Sequence, residues 1–502
     1  MSRKVFVKNA AILTATSLIL RTVGIFFRVY MAGRLGAEGM GLYQLVFSIY
    51  VLASTFASAG ICTAVTRLCA DELAAGSTAA VGRVVRRAAA ISAGIGLLSA
   101  AAIYGGAGWI AGRWLDDPRA IPSLRILTVS LPFMGISSCL RGYFIARRRV
   151  ATPSRAQLLE QAVRIGAIVL LMGRWLPRGL GWGCAAVLAG DAAAEIASCG
   201  YQAIAYRLDR RRLAAAGAPG GRITRRLMAI AVPITAGRYL NTALRTVENV
   251  LVPAMLTRYC LSREGALASF GALKGMAMPL LFFPASFLNA LSTLLIPEIS
   301  EASALRQTRR VERAVNHTLH LTLTAAILLG GLFTGFSGEL GQVFYHSDEV
   351  GFLLRVLAPL MPVMYLESVV DGILKGLDQQ THSLIYGVAD SALRIGLIAA
   401  VVPRYGMAGF LFIMVISNLF TCGLNLHRLL TVTGLRLQWG QWIVKPALAT
   451  AAAGGIALAG VQLWPMGDLP TLAVGGAVTA LVCAVLLALL GCIRKEDLRL
   501  RG

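Results

Sequence analysis

Ten basic side chains fall inside stretches that are otherwise apolar, Arg125, Arg141, Arg164, Arg355 and Arg394 among them, and five stand out by their pattern: Arg21, Arg28, Arg238, Arg245 and Lys274. In the first stretch Thr14, Ser17, Arg21, Gly24 and Arg28 follow one another at alternating steps of three and four, the spacing of one face of an α-helix. A later stretch repeats the device with Thr235, Arg238, Asn241 or Thr242, Arg245 and Glu248, its arginines again two helical turns apart. Lys274 lies in the glycine-containing segment FGALKGMAMP. A guanidinium keeps its charge at every physiological pH and grips a phosphate through two parallel N–H donors, so a wall of such groups suits an anionic, phosphate-bearing cargo. The competing reading is that these arginines lie near helix ends and snorkel, or neutralise Glu248 and other buried acids.

The acids in such stretches are Glu160, Asp191, Glu195, Glu248, Glu367, Asp371 and Asp390. Glu160/Arg164 and Asp390/Arg394 have the i,i+4 spacing of helical ion pairs, and desolvated pairs of that kind mostly serve structure. Asp191/Glu195 and Glu367/Asp371 are acid–acid i,i+4 pairs, which cost more to bury. With Glu248 they are the candidates for holding H⁺ or Na⁺ and coupling the movement of a cargo to an ion gradient or to the membrane potential. Enzyme signals are absent: there is no GxxxxGK[ST] loop, no HExxH and no Ser/His/Asp arrangement in a plausible context. His317 and His320 lack a third ligand and read as interfacial, and the nine cysteines show no CxxC spacing, so neither a metal nor an organic cofactor is expected.

These residues must be positioned by a membrane-spanning scaffold. The 502-residue chain is 57% hydrophobic and only 14% charged, whereas soluble chains are about a quarter charged. Since about 20 apolar residues cross a bilayer, about fourteen helices are expected, near 10–32, 42–66, 88–112, 121–146, 156–175, 181–206, 227–257, 266–296, 314–336, 352–374, 383–402, 407–427, 441–464 and 470–493. They consume most of the chain and leave no room for a soluble catalytic domain, which excludes a cytosolic or secreted globular protein. The N-terminal MSRKVFVKNAAILTATSLILR is basic and then apolar with no convincing cleavage site, and reads as a retained first helix.

The net charge of +24 would suggest nucleic acid in a soluble protein, but here the basic residues sort by loop. One alternating set carries Arg83, Arg86 and Arg87, then Arg147, Arg148 and Arg149, then Arg207, Arg210, Arg211 and Arg212, while the other set is sparse. That asymmetry puts both termini in the cytoplasm of a multi-pass cell-membrane protein, in keeping with an even helix count.

The chain also repeats itself. LRILTVSLPFMGISSCLRG, from residue 124, aligns without a gap with LRVLAPLMPVMYLESVVDG, from residue 354. The alignment pairs Arg125 with Arg355, Pro132 with Pro362, Ser138 with Ser368 and Gly142 with Gly372, and it sets Glu160 against Asp390. Further on, PRGLGWG (177–183) meets PRYGMAG (403–409) after a four-residue shift. Six helices separate the copies, so both enter the membrane in the same direction, as parallel repeats. The expected organisation is an N-lobe over 1–206, an Arg-rich cytoplasmic linker over 207–226 and a C-lobe over 227–430. Two further helices and a tail follow over 431–502.

The block SLILRTVGIFFRVYMAGRLGAEGMGLYQLVFSIYVLASTFASAGICTAVTRLCADELAAG closely resembles the polysaccharide-export and lipid-flippase families of the multidrug/oligosaccharidyl-lipid/polysaccharide superfamily. The best match is the stage V sporulation protein B-like group, and FFPASFLNALSTLLIPEISEA (282–302) is similar to the eighth-helix motif. The resemblance implies two six-helix lobes working by alternating access on an undecaprenyl-pyrophosphate-linked glycan. It further implies that helices 13 and 14 form a groove for the polyprenyl tail. Basic residues on helices 1 and 8 serve the lipid II flippases, and Arg21, Arg28 and Lys274 look like their counterparts. Here the Arg21–Arg28 spacing is one residue longer, and a lysine stands where an arginine is usual, giving up bidentate geometry.

The expected function is therefore a flippase for a lipid-linked glycan, a peptidoglycan precursor for spore cortex or wall synthesis. Its expected partners are the pyrophosphate-bearing lipid, membrane lipids and cell-wall synthases, with no nucleic acid. The alternatives are a cation-coupled drug or metabolite antiporter, against which the basic excess argues, and a non-transporting scaffold of wall synthesis.

Overall fold

The computed structural model describes residues 3–58, 60–211, 223–288, 299–302, 305, 307–435, 438–463 and 467–491. The linker 207–226, the eighth expected span and the 282–302 motif fall partly outside these residues, the tail beyond 491 wholly so, and the Thr14 side chain is also outside the description.

Among the described residues every regular element is a helix. In chain order they are α1 (Arg3–Ser58), α2 (Ile61–Ala74), α3 (Thr78–Trp109), α4 (Ile121–Leu127), α5 (Leu131–Ala146), α6 (Ala151–Trp175), α7 (Leu180–Arg211), α8 (Ile223–Cys260) and α9 (Arg263–Phe270). A π-helical segment, Gly271–Ala277, leads to α10 (Met278–Phe282). Then follow α11 (Thr308–Gly335), α12 (Ser337–Tyr345), α13 (Asp348–Leu357), α14 (Met361–Gly376), α15 (Gln380–Thr433), α16 (Lys445–Leu463) and α17 (Asp468–Leu489).

Among the described residues ten helical stretches are long and apolar enough to cross a membrane, or eleven if the pair α4/α5, bent by 41°, is one span. The chain is thus an all-α polytopic membrane protein. The difference from the fourteen expected spans has physical sources. The stretch Ala15–Ala74 and the helix Gln380–Thr433 each exceed a single crossing but count once. At about 1.5 Å per residue the 56 residues of α1 would extend far beyond a hydrocarbon core about 30 Å thick. The helix breaks at Gly36 (φ 69°, ψ 179°), and α15 breaks at Gly406 (φ 58°, ψ −138°), just after Pro403. Only glycine takes those dihedrals without strain. The polar content of α8, which carries Arg238, Asn241, Arg245, Glu248 and Asn249, keeps it off the apolar set.

The chain forms two compact units, Met1–Phe27 with Arg34–Gly271 and Arg28–Gly33 with Ala272–Gly502. In the first, Val81, Val84, Val85 and Ala88 form one helical stripe of α3 that packs on Ile61 and Val65 of α2, Tyr143 of α5 and Leu227 of α8. The opposite face of α3 presents Leu97 and Leu98, apolar side chains suited to lipid. The second unit is built on Val315 and Leu319 of α11, Val370 and Ile373 of α14 and Leu429 of α15. The repeat is visible in the helix boundaries: α5 and α14, both of 16 residues, begin and end at aligned positions.

Candidate functional site

Within the first unit Arg21 is exposed on α1, and Arg238 and Arg245 are exposed on α8. Thr246 Oγ1 donates to the Ser48 carbonyl at 3.3 Å, and Asn249 Nδ2 donates to Ser48 Oγ at 3.0 Å, which fixes α8 against α1. The Tyr239 ring meets Phe56 edge-on at 5.6 Å. Glu248, one helical turn from Arg245, is buried, with 4% of its surface exposed. Arg238 and Arg245 are thereby held on an anchored helix with their charged ends accessible.

Arg28 and Lys274 belong to the second unit. Lys274 is half-buried in the π-helical segment, its ammonium 5.8 Å from the centre of the Phe410 ring, a cation–π distance. Arg28 lies near Tyr345, the last residue of α12. Burial pushes the Tyr345 phenol up to about 12, with the Arg28 charge pulling the other way. Its hydroxyl is buried without a hydrogen-bond partner among the described residues. Nothing in the sequence pattern marked Tyr345, because its proximity to Arg28 joins residues remote in the chain.

The acids sort into two arrangements. In the first unit Arg164 of α6 donates through Nη2 to Glu160 at 2.8 Å and through Nη1 to Gln161 at 2.9 Å, and its Nε stands 2.7 Å from Asp191 Oδ1 on α7. The Nε contact is one of charge, since that N–H makes no aligned hydrogen bond. Glu195, one turn along α7, is only 8% exposed and faces Ser137 and Arg141 of α5. Tyr50 of α1 adjoins both Asp191 and Glu195, its hydroxyl 3.1 Å from Met134 Sδ. The i,i+4 pair Glu160/Arg164 forms, and Asp191 joins it.

In the second unit Arg394 Nη2 donates to Asp390 at 2.7 Å and to Ser417 Oγ at 2.6 Å, and Ser417 closes the ring by donating to Asp390 at 2.5 Å. Asp371 is held by Lys375 and Ser383, and Glu367 lies near Cys422 of α15. Carrying the repeat across its four-residue shift sets Asp191 against Ser417 and Glu195 against Thr421. Each unit thus places the aligned residue against its arginine. Ser417 was within reach of that alignment, whereas Tyr50 and Ser137 carry no sequence signal.

The second unit also contains an apolar cavity of about 750 Å³, bordered by α11, α14, α15 and α16. Leu323, Gly331, Pro362, Leu426, Trp439 and Gly454 are among its lining residues, and none of the lining side chains is charged. The helix corresponding to the expected thirteenth span, α16, lines it, and α17 does not. Among the described residues no group of three or more His, Cys, Asp or Glu side chains is placed to hold a metal ion.

The pattern of the family described as polysaccharide biosynthesis protein matches residues 6–303. Stage V sporulation protein B of Bacillus subtilis (strain 168) is 25% identical over 508 residues, covering 99% of this chain and 98% of that protein. Lipid II flippase MurJ of the same organism is 22% identical over 416 residues, covering 77% of this chain and 76% of that protein. A solved structure of lipid II flippase MurJ in an inward closed conformation superimposes with a TM-score of 0.68 at 14% identity, covering 95% of this chain and 99% of that one. The chain shares that fold.

Proposed function

The chain belongs to the polysaccharide biosynthesis protein family, and from that premise we propose that it is a flippase, not an enzyme, for a lipid-linked oligosaccharide. The cargo we infer is an undecaprenyl-pyrophosphate-linked glycan of the lipid II type, used in spore cortex or wall synthesis and carried by alternating access. The observation that carries the reading is the match to stage V sporulation protein B along almost the full length of both chains. The fold shared with a lipid II flippase supports it.

The chemistry of the chain is in keeping with such a cargo. Arg21, Arg28, Arg238 and Arg245 supply guanidinium forks for pyrophosphate oxygens, and Lys274 supplies a point charge. The uncharged cavity beside α16 suits a polyprenyl chain, which needs apolar surface and no hydrogen bonds. Both termini lie in the cytoplasm in this reading, on the side where the precursor is made.

Native mass spectrometry of the purified protein tests the proposal, with lipid II competing against a second undecaprenyl-pyrophosphate glycan and Arg28→Ala run beside the wild type. The expected result is preferential lipid II binding that weakens about tenfold in the variant, the loss of about 1.4 kcal/mol of charge-assisted hydrogen bonding. Equal binding of both lipids would move the assignment to a broader glycan exporter. Binding of neither by folded protein would overturn the flippase reading in favour of a cation-coupled antiporter or a wall-synthesis scaffold.

A further inference from the structure

The buried polar cluster of the first unit has more carboxylates than it can pair. Glu160 and Asp191 share one guanidinium, that of Arg164, and Glu195 makes no salt bridge among the described residues. The groups facing Glu195 are Glu160 and Arg164 on α6, Ser137 and Arg141 on α5, Tyr50 on α1, and Asp191 and Cys199 on its own helix. Three carboxylates against two guanidiniums leave one negative charge over in a place where an isolated charge costs several kcal/mol. A proton removes that charge without adding volume.

Two donors near Glu195 lack an aligned acceptor among the described residues. The Ser137 hydroxyl, 2% exposed, faces Glu195 and Cys199 yet makes no well-formed hydrogen bond, and Arg141 Nε is buried without an acceptor. Such orphaned donors are costly to keep unless a second state uses them. We propose that Glu195 is a reversible proton-binding site: it is the neutral acid in the present arrangement, and on releasing its proton the carboxylate accepts hydrogen bonds from Ser137 Oγ and Arg141 Nε. The O–H bond of the acid breaks heterolytically, the electron pair stays on the carboxylate and the proton leaves to water. A metal cation fits less well, because the fixed charges of Arg141 and Arg164 border the site and the oxygens needed for a coordination shell are already shared with Arg164.

The second unit does not repeat this arrangement. At the positions aligned with Asp191 and Glu195 it has Ser417 and Thr421, and its buried Asp390 is matched one to one by Arg394. The acids aligned with Ser137 and Arg141 are Glu367 and Asp371, both only half-buried, and Asp371 is bonded to Lys375 and Ser383. The proton site is therefore assigned to one repeat alone. On the flippase reading it would couple the carried lipid to a pH gradient, but the site itself does not rest on that reading.

Infrared difference spectroscopy of the full chain in nanodiscs, titrated without lipid cargo, tests the site directly. The wild type should show a carboxylic-acid carbonyl band that is lost on raising the pH and is absent in Glu195→Gln. Ser137→Ala, which removes one donor from the charged form, should raise the midpoint by about one pH unit, a tenfold change in proton affinity. This second variant keeps the test valid if Glu195→Gln folds poorly. No titrating acid band, a band that survives Glu195→Gln, or a midpoint indifferent to Ser137→Ala would each overturn the proposal. Because no lipid is present, failure here leaves the flippase assignment standing, and failure of lipid II binding leaves this site standing.

Discussion

Arg164 Nε stands 2.7 Å from Asp191 Oδ1, tying α6 to α7 inside the first unit, while the same guanidinium donates to Glu160 one turn back on its own helix. One cation thus compensates two carboxylates in a setting of low dielectric, where removing it leaves both uncompensated. Arg164→Met should therefore lower stability by about 3 to 5 kcal/mol, read as a fall in Tm in detergent. Adding Glu160→Gln and Asp191→Asn to the same chain should restore most of the loss. A single Arg164→Met variant that melts like the wild type would mean the carboxylates are hydrated and the pair contributes little.

The counterpart in the second unit rests on a hydroxyl. Ser417 Oγ both accepts from Arg394 and donates to Asp390, so it mediates a balanced pair. Ser417→Ala should cost about 1 to 3 kcal/mol, because both charged groups lose a buried partner. The drop should be smaller than that of Arg164→Met, since Asp390 and Arg394 still meet directly at 2.7 Å. Chemical denaturation of the two variants side by side checks the order, and a larger loss for Ser417→Ala would refute it.

The apolar cavity of the second unit offers a way to separate tail binding from headgroup binding. Gly454 lines it, and a Cβ placed there meets nothing within 4 Å. Gly454→Leu should fill the cavity without loss of stability, and the replaced helical glycine adds up to about 1 kcal/mol. Gly331→Leu should destabilise instead, because a Cβ at that position already comes within 2.3 Å of Thr450 Cγ2. If the cavity takes a polyprenyl tail, Gly454→Leu weakens binding of the full-length lipid and spares a short-chain analogue. Equal weakening of both would detach the cavity from the tail.

Tyr345 gives a prediction whose sign depends on pH. Its phenol is raised by burial above the ordinary tyrosine value of about 10, so its contribution to stability is fully present below pH 10 and is lost as pH rises towards about 12. The hydroxyl has no hydrogen-bond partner among the described residues, so Tyr345→Phe should leave stability at neutral pH unchanged or raise it by about 1 to 3 kcal/mol, while removing that alkaline loss. Thermal melts at neutral and alkaline pH check both halves. A clear destabilisation at neutral pH would show that the hydroxyl is engaged after all.

Much of this is legible in the amino-acid sequence alone. Hydropathy and the density of charge required an all-α membrane protein, because only a helix satisfies its own backbone inside a bilayer. The alternating steps of three and four residues put Arg21 and Arg28 on one face, and helical periodicity brought Glu160 to Arg164 and Asp390 to Arg394. The spacing could not reveal which residues of other helices would meet them. That Asp191 and not Glu195 takes Arg164, that Ser417 completes the ring at Asp390, and that Ser137 and Tyr345 are left with idle hydroxyls all follow from helix packing. Local periodicity determines which way a side chain leaves its own helix. Its partner depends on the rotation and depth at which a second helix packs against the first, and that is settled by many contacts between residues remote in sequence.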